Sequence, residues 1–226
     1  AWKSDEEEGQ ELGTHLFHLF NGSGGKLSEM IKKTYDRGEP LHLFFTIPFE
    51  LDALPIELLF DKHFLQLESN IHIIRQVTDR NRLRNIVPKK RILKMLFMAC
   101  SPMDLGDSVL QFEKEEENIQ KSIEKFQIEM TVEDSGSLDG LKNALMEGNG
   151  YDIVHITGHA GIDPKLGPVF YMENEIGGLA KVTPESLGEI LKDFLPRVLF
   201  LSGCSTGKSD KVNEVESFAY RMVEHN

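Results

Sequence analysis

A thiol and an imidazole stand at the ends of two apolar runs in this chain. Tyr151-Asp152-Ile153-Val154-His155-Ile156 leads into Thr157-Gly158-His159-Ala160, and Val198-Leu199-Phe200-Leu201 leads into Ser202-Gly203-Cys204-Ser205-Thr206-Gly207. A free thiol is largely protonated near neutral pH, and a neighbouring imidazole that takes its proton turns it into a working nucleophile. His159 is the candidate base and Cys204 the candidate nucleophile. Attack on a carbonyl also needs N–H donors for the developing oxyanion. The backbone around Gly158, Ala160 and Gly203 can supply them, because small residues let a substrate backbone come close.

Each run is a short apolar segment bounded by glycine, the pattern of a strand buried on both faces. Parallel strands of that kind present their carboxyl ends to a shared crevice. The intervening stretch, 160–203, has room for one crossover helix and an insertion, so the two strand ends can be neighbours. Taken singly, His159 reads as a satisfied loop histidine and Cys204 as a small buried hydrophobe. Taken together, with glycine beside each, they read as a catalytic pair. Cys100 closes a third apolar run and can also approach His159, but it lacks the flanking glycine of Cys204.

Other chemistries fit less well. Gly203 to Ser209 looks like a phosphate-binding loop, but that motif needs four residues between its glycines and Gly203 and Gly207 enclose three. His155 and His159 are four apart on a strand and its following turn, without the helical Glu of a zinc-peptidase motif, so no metal site is expected. His155 is expected to pack within the sheet or orient its neighbours. No cofactor is implied.

The elements that must position the pair follow from periodicity and punctuation. Helical spacing covers Glu7 to Phe20 and Lys26 to Arg37, with a stop and turn at Asn21-Gly22-Ser23-Gly24-Gly25. A strand is expected over Leu41 to Ile47, a short helix over Leu54 to Phe60 and a strand over Ile71 to Val77. After Pro88 the pattern alternates regularly: strand Ile92 to Ala99, helix Val109 to Phe126, strand Ile128 to Val132, helix Leu138 to Met146, strand Tyr151 to Ile156. Such alternation predicts a parallel sheet with helices on its faces. The helix at 109–126 reads as a surface helix with a solvated acidic face. Val169 to Glu173 and Leu179 to Val182 read as a small inserted hairpin. Thr183 and Pro184 then cap and start a helix that crosses to the cysteine strand.

Composition sets the context. The 226 residues are 40% hydrophobic and 27% charged, enough for one large or two small domains with a core. The net charge of −12 speaks against nucleic acid as a direct ligand. The basic run from Arg75 to Lys94 is the exception. It reads as a solvated connection around an internal boundary at Pro88, or as a contact for an anionic partner. No segment approaches the roughly 18 apolar residues of a membrane span, and the acidic start is not a secretory signal, so a cytoplasmic setting is expected. Two cysteines argue for reduced thiols over a disulfide framework. The missing initiator methionine suggests a piece of a longer protein.

The Gly158-His159-Ala160 segment after one apolar strand, and Leu201-Ser202-Gly203-Cys204-Ser205-Thr206-Gly207 after the next, closely resemble the CHAT peptidases, relatives of caspases and separases. Leu51-Asp52-Ala53-Leu54-Pro55-Ile56-Glu57-Leu58-Leu59-Phe60 is similar to the Pro-Trp-Glu-Leu-Leu-type segment of that family, with Ile56 where an aromatic is common. The resemblance covers nearly the whole chain. It implies a caspase-like, mainly parallel sheet flanked by helices on both faces, with residues 1–88 an N-terminal accessory α/β region and 89–226 the peptidase core. It implies His159 as base and Cys204 as nucleophile in hydrolysis of a protein substrate. Ala160 stands where glycine is frequent and Gly203 where alanine is usual. Members continue with further strands beyond the point matching Ala219-Tyr220-Arg221-Met222, so the core is expected to be incomplete at its C-terminus. Members are often fused to tetratricopeptide repeats and act in regulated proteolysis, including antiviral defence, which implies regulatory repeats or a partner chain outside this sequence. The rival expectation is a non-catalytic scaffold for protein recognition.

Overall fold

Parallel strands must be joined by crossovers of a dozen or more residues, usually helical, and the alternation in the second half of the chain folds in that way. The computed structural model describes residues 5–48, 51, 54–76, 91–105, 110–203 and 217–225. The chain divides into two units, Ala1–Arg80 and Asn81–Asn226. The expected boundary at Pro88 and most of the basic run lie outside the described residues. The flanking basic residues are engaged within their own units: Arg75 forks onto Glu57 at 2.6 and 2.7 Å, and Arg91 reaches Asp152 at 2.9 Å.

In the first unit, helices α1 (Asp5–Asn21) and α2 (Lys26–Arg37) precede strand β1 (Leu41–Thr46). The short strands β2 (Phe60–Asp61) and β3 (His63–Phe64) form an antiparallel pair, and β4 (Ile71–Gln76) lies parallel to β1 with Leu41 opposite Ile71. Leu16, Phe17, Leu27, Ile31, Leu43 and Leu65 are among the residues that close its core. The expected helix over Leu54 to Phe60 is a single 3₁₀ turn, Ile56–Leu58. With three residues per turn, Ile56 and Leu59 fall on one side and both are fully buried, while Phe60 already enters β2. Gly13 permits this packing, since a Cβ there would lie 1.9 Å from the Leu58 carbonyl oxygen.

The second unit contains β5 (Leu93–Ala99), α3 (Phe112–Ile123), β6 (Ile128–Glu133), α4 (Leu138–Glu147), β7 (Ile153–Asp163), β8 (Gly167–Glu173), β9 (Leu179–Val182), α5 (Pro184–Leu191), β10 (Val198–Gly203) and α6 (Phe218–His225). Strands β6, β5, β7 and β10 lie side by side, all parallel. The hairpin β8–β9 then adds antiparallel to the far half of β7. The sheet is therefore mixed, and the hairpin is part of it rather than a separate insertion.

Side-chain alternation assigns the faces. Leu96, Met98, Val154 and Ile156 point to one side and are fully buried against Leu141 and Leu145 of α4, Leu187 and Leu191 of α5, and Phe218 and Met222 of α6. Each such burial is worth about 1.5–3 kcal/mol. On the other side α3 covers the neighbours of His155. Ser137 caps α4 by accepting from Gly140 N–H, and Thr183 caps α5 ahead of Pro184, as its sequence predicts.

Two expectations need correction. Gly158-His159-Ala160 is not a turn: β7 runs on to Asp163, because its second half finds a new ladder on β8. Nor is β10 buried on both faces, for Val198 and Phe200 are 51% and 52% exposed. Helix α3 leaves an open groove over them, walled by Met95, Ile119, Ile123 and Ile153.

Candidate functional site

Strand β7 changes partners at the candidate base. Ile153 to Gly158 pair with β10, with Gly203 opposite Gly158, and His159 begins the antiparallel ladder by pairing with Tyr171 of β8. His159 is half-buried at that junction. Gly158 is buried, and a Cβ on it would lie 2.9 Å from the Phe170 ring, 3.1 Å from Cys100 Cβ and 3.2 Å from the Cys100 carbonyl oxygen. Its lack of a side chain is thus required by the packing of three strands. Ala160 pairs with Phe170 and rests its methyl against the core.

Cys204 follows Gly203 directly and lies outside the described residues, as does the rest of the run to Ser209. The structure brings together the two glycines that precede the proposed base and nucleophile. Cys100, the other cysteine, donates its backbone N–H to the Thr157 carbonyl and is fully buried. Burial pushes its thiol far above the ordinary range, and the charges of Glu173 and Glu133 push the same way. A thiol held protonated and enclosed is a poor nucleophile.

Behind the junction lies a polar assembly on the α3 side of the sheet. Glu115 of α3 accepts from His155 Nε2 at 2.9 Å through one carboxylate oxygen and from Thr157 Oγ1 at 2.9 Å through the other. Because a carboxylate only accepts, this fixes the Nε2–H form of the ring. The His155 ring sits between Phe97 and Phe200, with centroids 5.3 and 4.5 Å away, all three in one cross-strand row. Burial lowers the His155 pKa, and the Glu115 hydrogen bond and charge oppose the shift. The expectation that His155 packs within the sheet is met.

From its sequence α3 is expected to present Glu115 on a solvated acidic face, and the structure instead turns it onto β7. A signal was present. Glu115 lies three residues after Phe112 and four before Ile119, so it interrupts the apolar stripe of α3 rather than the charged face. An ionisable residue in that stripe needs a polar partner across the packing.

The rim of the hairpin is also ordered. Asp163 accepts from the backbone N–H groups of Lys165 and Leu166 and from Lys181 Nζ at 2.8 Å. These hydrogen bonds, the one from Lys181 foremost, hold its pKa down to about 2. Among the described residues no group of three or more His, Cys, Asp or Glu side chains could hold a metal ion. No helix among them is long and apolar enough to cross a membrane.

The family model described as CHAT domain matches residues 11–225. No curated protein matches the chain.

Proposed function

The chain belongs to the CHAT domain family, a caspase-like family, and from that premise we propose that it is a cysteine endopeptidase with His159 as base and Cys204 as nucleophile. One observation carries the reading: Gly158 and Gly203 are register partners on adjoining parallel strands. Covalent continuity then keeps each reactive residue one Cα step, about 3.8 Å, from a paired glycine. The enclosed, protonated state of Cys100 favours Cys204 over it.

In this reading His159 takes the Cys204 thiol proton as sulfur attacks the scissile carbonyl carbon. The new C–S bond places negative charge on the carbonyl oxygen, where nearby backbone N–H groups receive it. Collapse breaks the C–N bond, and the imidazolium returns its proton to the departing amine. A water, deprotonated by His159, then cleaves the thioester and regenerates the thiol. The substrate is a protein, and the peptidase works in the cytoplasm as part of a larger regulated signalling or defence assembly. Support for the protein substrate and for the signalling or defence role is family kinship.

Cleavage of fluorescent casein and of a fluorogenic peptide library by the wild type, Cys204→Ala, His159→Ala and Cys100→Ala tests the assignment. Activity is expected to vanish in the first two variants and to survive in the third. Normal cleavage by Cys204→Ala overturns the reading, and complete inactivity of the wild type with its regulatory partners present favours the scaffold instead.

A further inference from the structure

We propose that Glu115 is a positioning residue for the catalytic pair, a role that rests on the peptidase reading above. Its carboxylate clamps two residues of β7, His155 and Thr157, from the α3 side of the sheet, one hydrogen bond per oxygen, each 2.9 Å. Thr157 stands two positions before His159. His155 is the register partner of Phe200 on β10, and the two rings are in contact at a centroid separation of 4.5 Å. His155 precedes His159 by four residues, and Phe200 precedes Cys204 by the same four. The clamp therefore acts on a cross-strand contact that lies four residues before each reactive residue.

The arrangement has a physical reason beyond stability. An ionisable pair between a helix and a sheet is rarely more stable than an apolar one of the same volume, because desolvation offsets the attraction. What it supplies is direction. Phe200 is half exposed above an open groove, so packing from above does not fix its ring. The His155 ring beside it is held in one tautomer and one orientation by Glu115. Loss of the carboxylate would free His155 to rotate and would release the Thr157 hydroxyl, loosening β7 just where it passes from β10 to β8. Thr157 Oγ1 and His155 share the α3-facing side of β7 with His159 in the strand alternation.

The test uses the full-length protein with its regulatory partners and a fluorogenic peptide selected from a positional-scanning library. Glu115→Gln keeps the shape of the side chain but cannot accept at both oxygens. It is expected to lower kcat by about tenfold or more at nearly unchanged KM, as a small misplacement of reacting groups does. Glu115→Asp, which keeps the charge, is expected to recover part of the loss. A second variant, Glu115→Leu with His155→Phe and Thr157→Val, replaces all three members of the clamp by apolar packing. It should keep the thermal midpoint of the wild type while kcat stays low. A wild-type kcat in Glu115→Gln, or a wild-type kcat in the apolar triple variant, overturns the positioning role. Cys204→Ala in the same assay separates the two levels: if it cleaves normally the peptidase reading fails, whereas an inactive Cys204→Ala beside a fully active Glu115→Gln sinks the clamp alone.

Discussion

Gly158 and Gly203 face each other in the last parallel pair between β7 and β10. Each immediately precedes a residue whose type suggests chemistry. Strand register is strongly specified where faces are buried, since a slip by one position turns every side chain to the other face. The burial of Val154 and Ile156 fixes that register here, so the core that stabilises the sheet is also what aligns the two strand ends.

The enclosure of Gly158 gives a prediction about stability. Gly158→Ala must displace the Phe170 ring and the end of β5, and overpacking of this kind costs about 1–3 kcal/mol. A lowered denaturation midpoint in urea is expected, with unchanged slope. An unchanged midpoint would show that the close approach of Cys100 and Phe170 is relieved without cost.

His155 gives a prediction about pH. Its pKa lies below the ordinary 6.5 because burial strips solvent from the imidazolium, and Glu115 opposes this only in part. Below that pH the unfolded chain takes up the proton more readily than the folded one, so stability falls on acidification from about 6.5 downward through the lowered folded value. Denaturation midpoints measured at about pH 7.5 and 5.5 should diverge less in His155→Phe than in the wild type. Equal divergence would mean that His155 makes no contribution to the acid limb.

Much of this architecture is legible in the linear sequence, and what is not has a common cause. Helix α2 and the capped start of α5 are local: glycines at both ends define the first, and the Thr183-Pro184 pair the second. The neighbouring placement of the two glycine-ended strands also follows from alternation and crossover length. The continuation of β7 through His159 does not. Gly158 and Gly161 look like turn residues, and only pairing with strands later in the chain, β10 for Gly158 and β8 for Gly161, makes them strand. The exposure of Val198 and Phe200 escapes a reading of apolar runs for the same reason, since it depends on where α3 ends rather than on β10 itself. Glu115 is hidden by its acidic neighbours, which do face solvent.

The most direct test of the central claim is the rate of alkylation of Cys204 by iodoacetamide as a function of pH, read by peptide mass in the wild type and in His159→Ala. If the two strand ends bring thiol and imidazole together, the wild type reacts well below the ordinary thiol pKa of about 8.5, and the variant returns to it. Superimposable profiles would contradict the account, because they would show that His159 does not sense the sulfur at all.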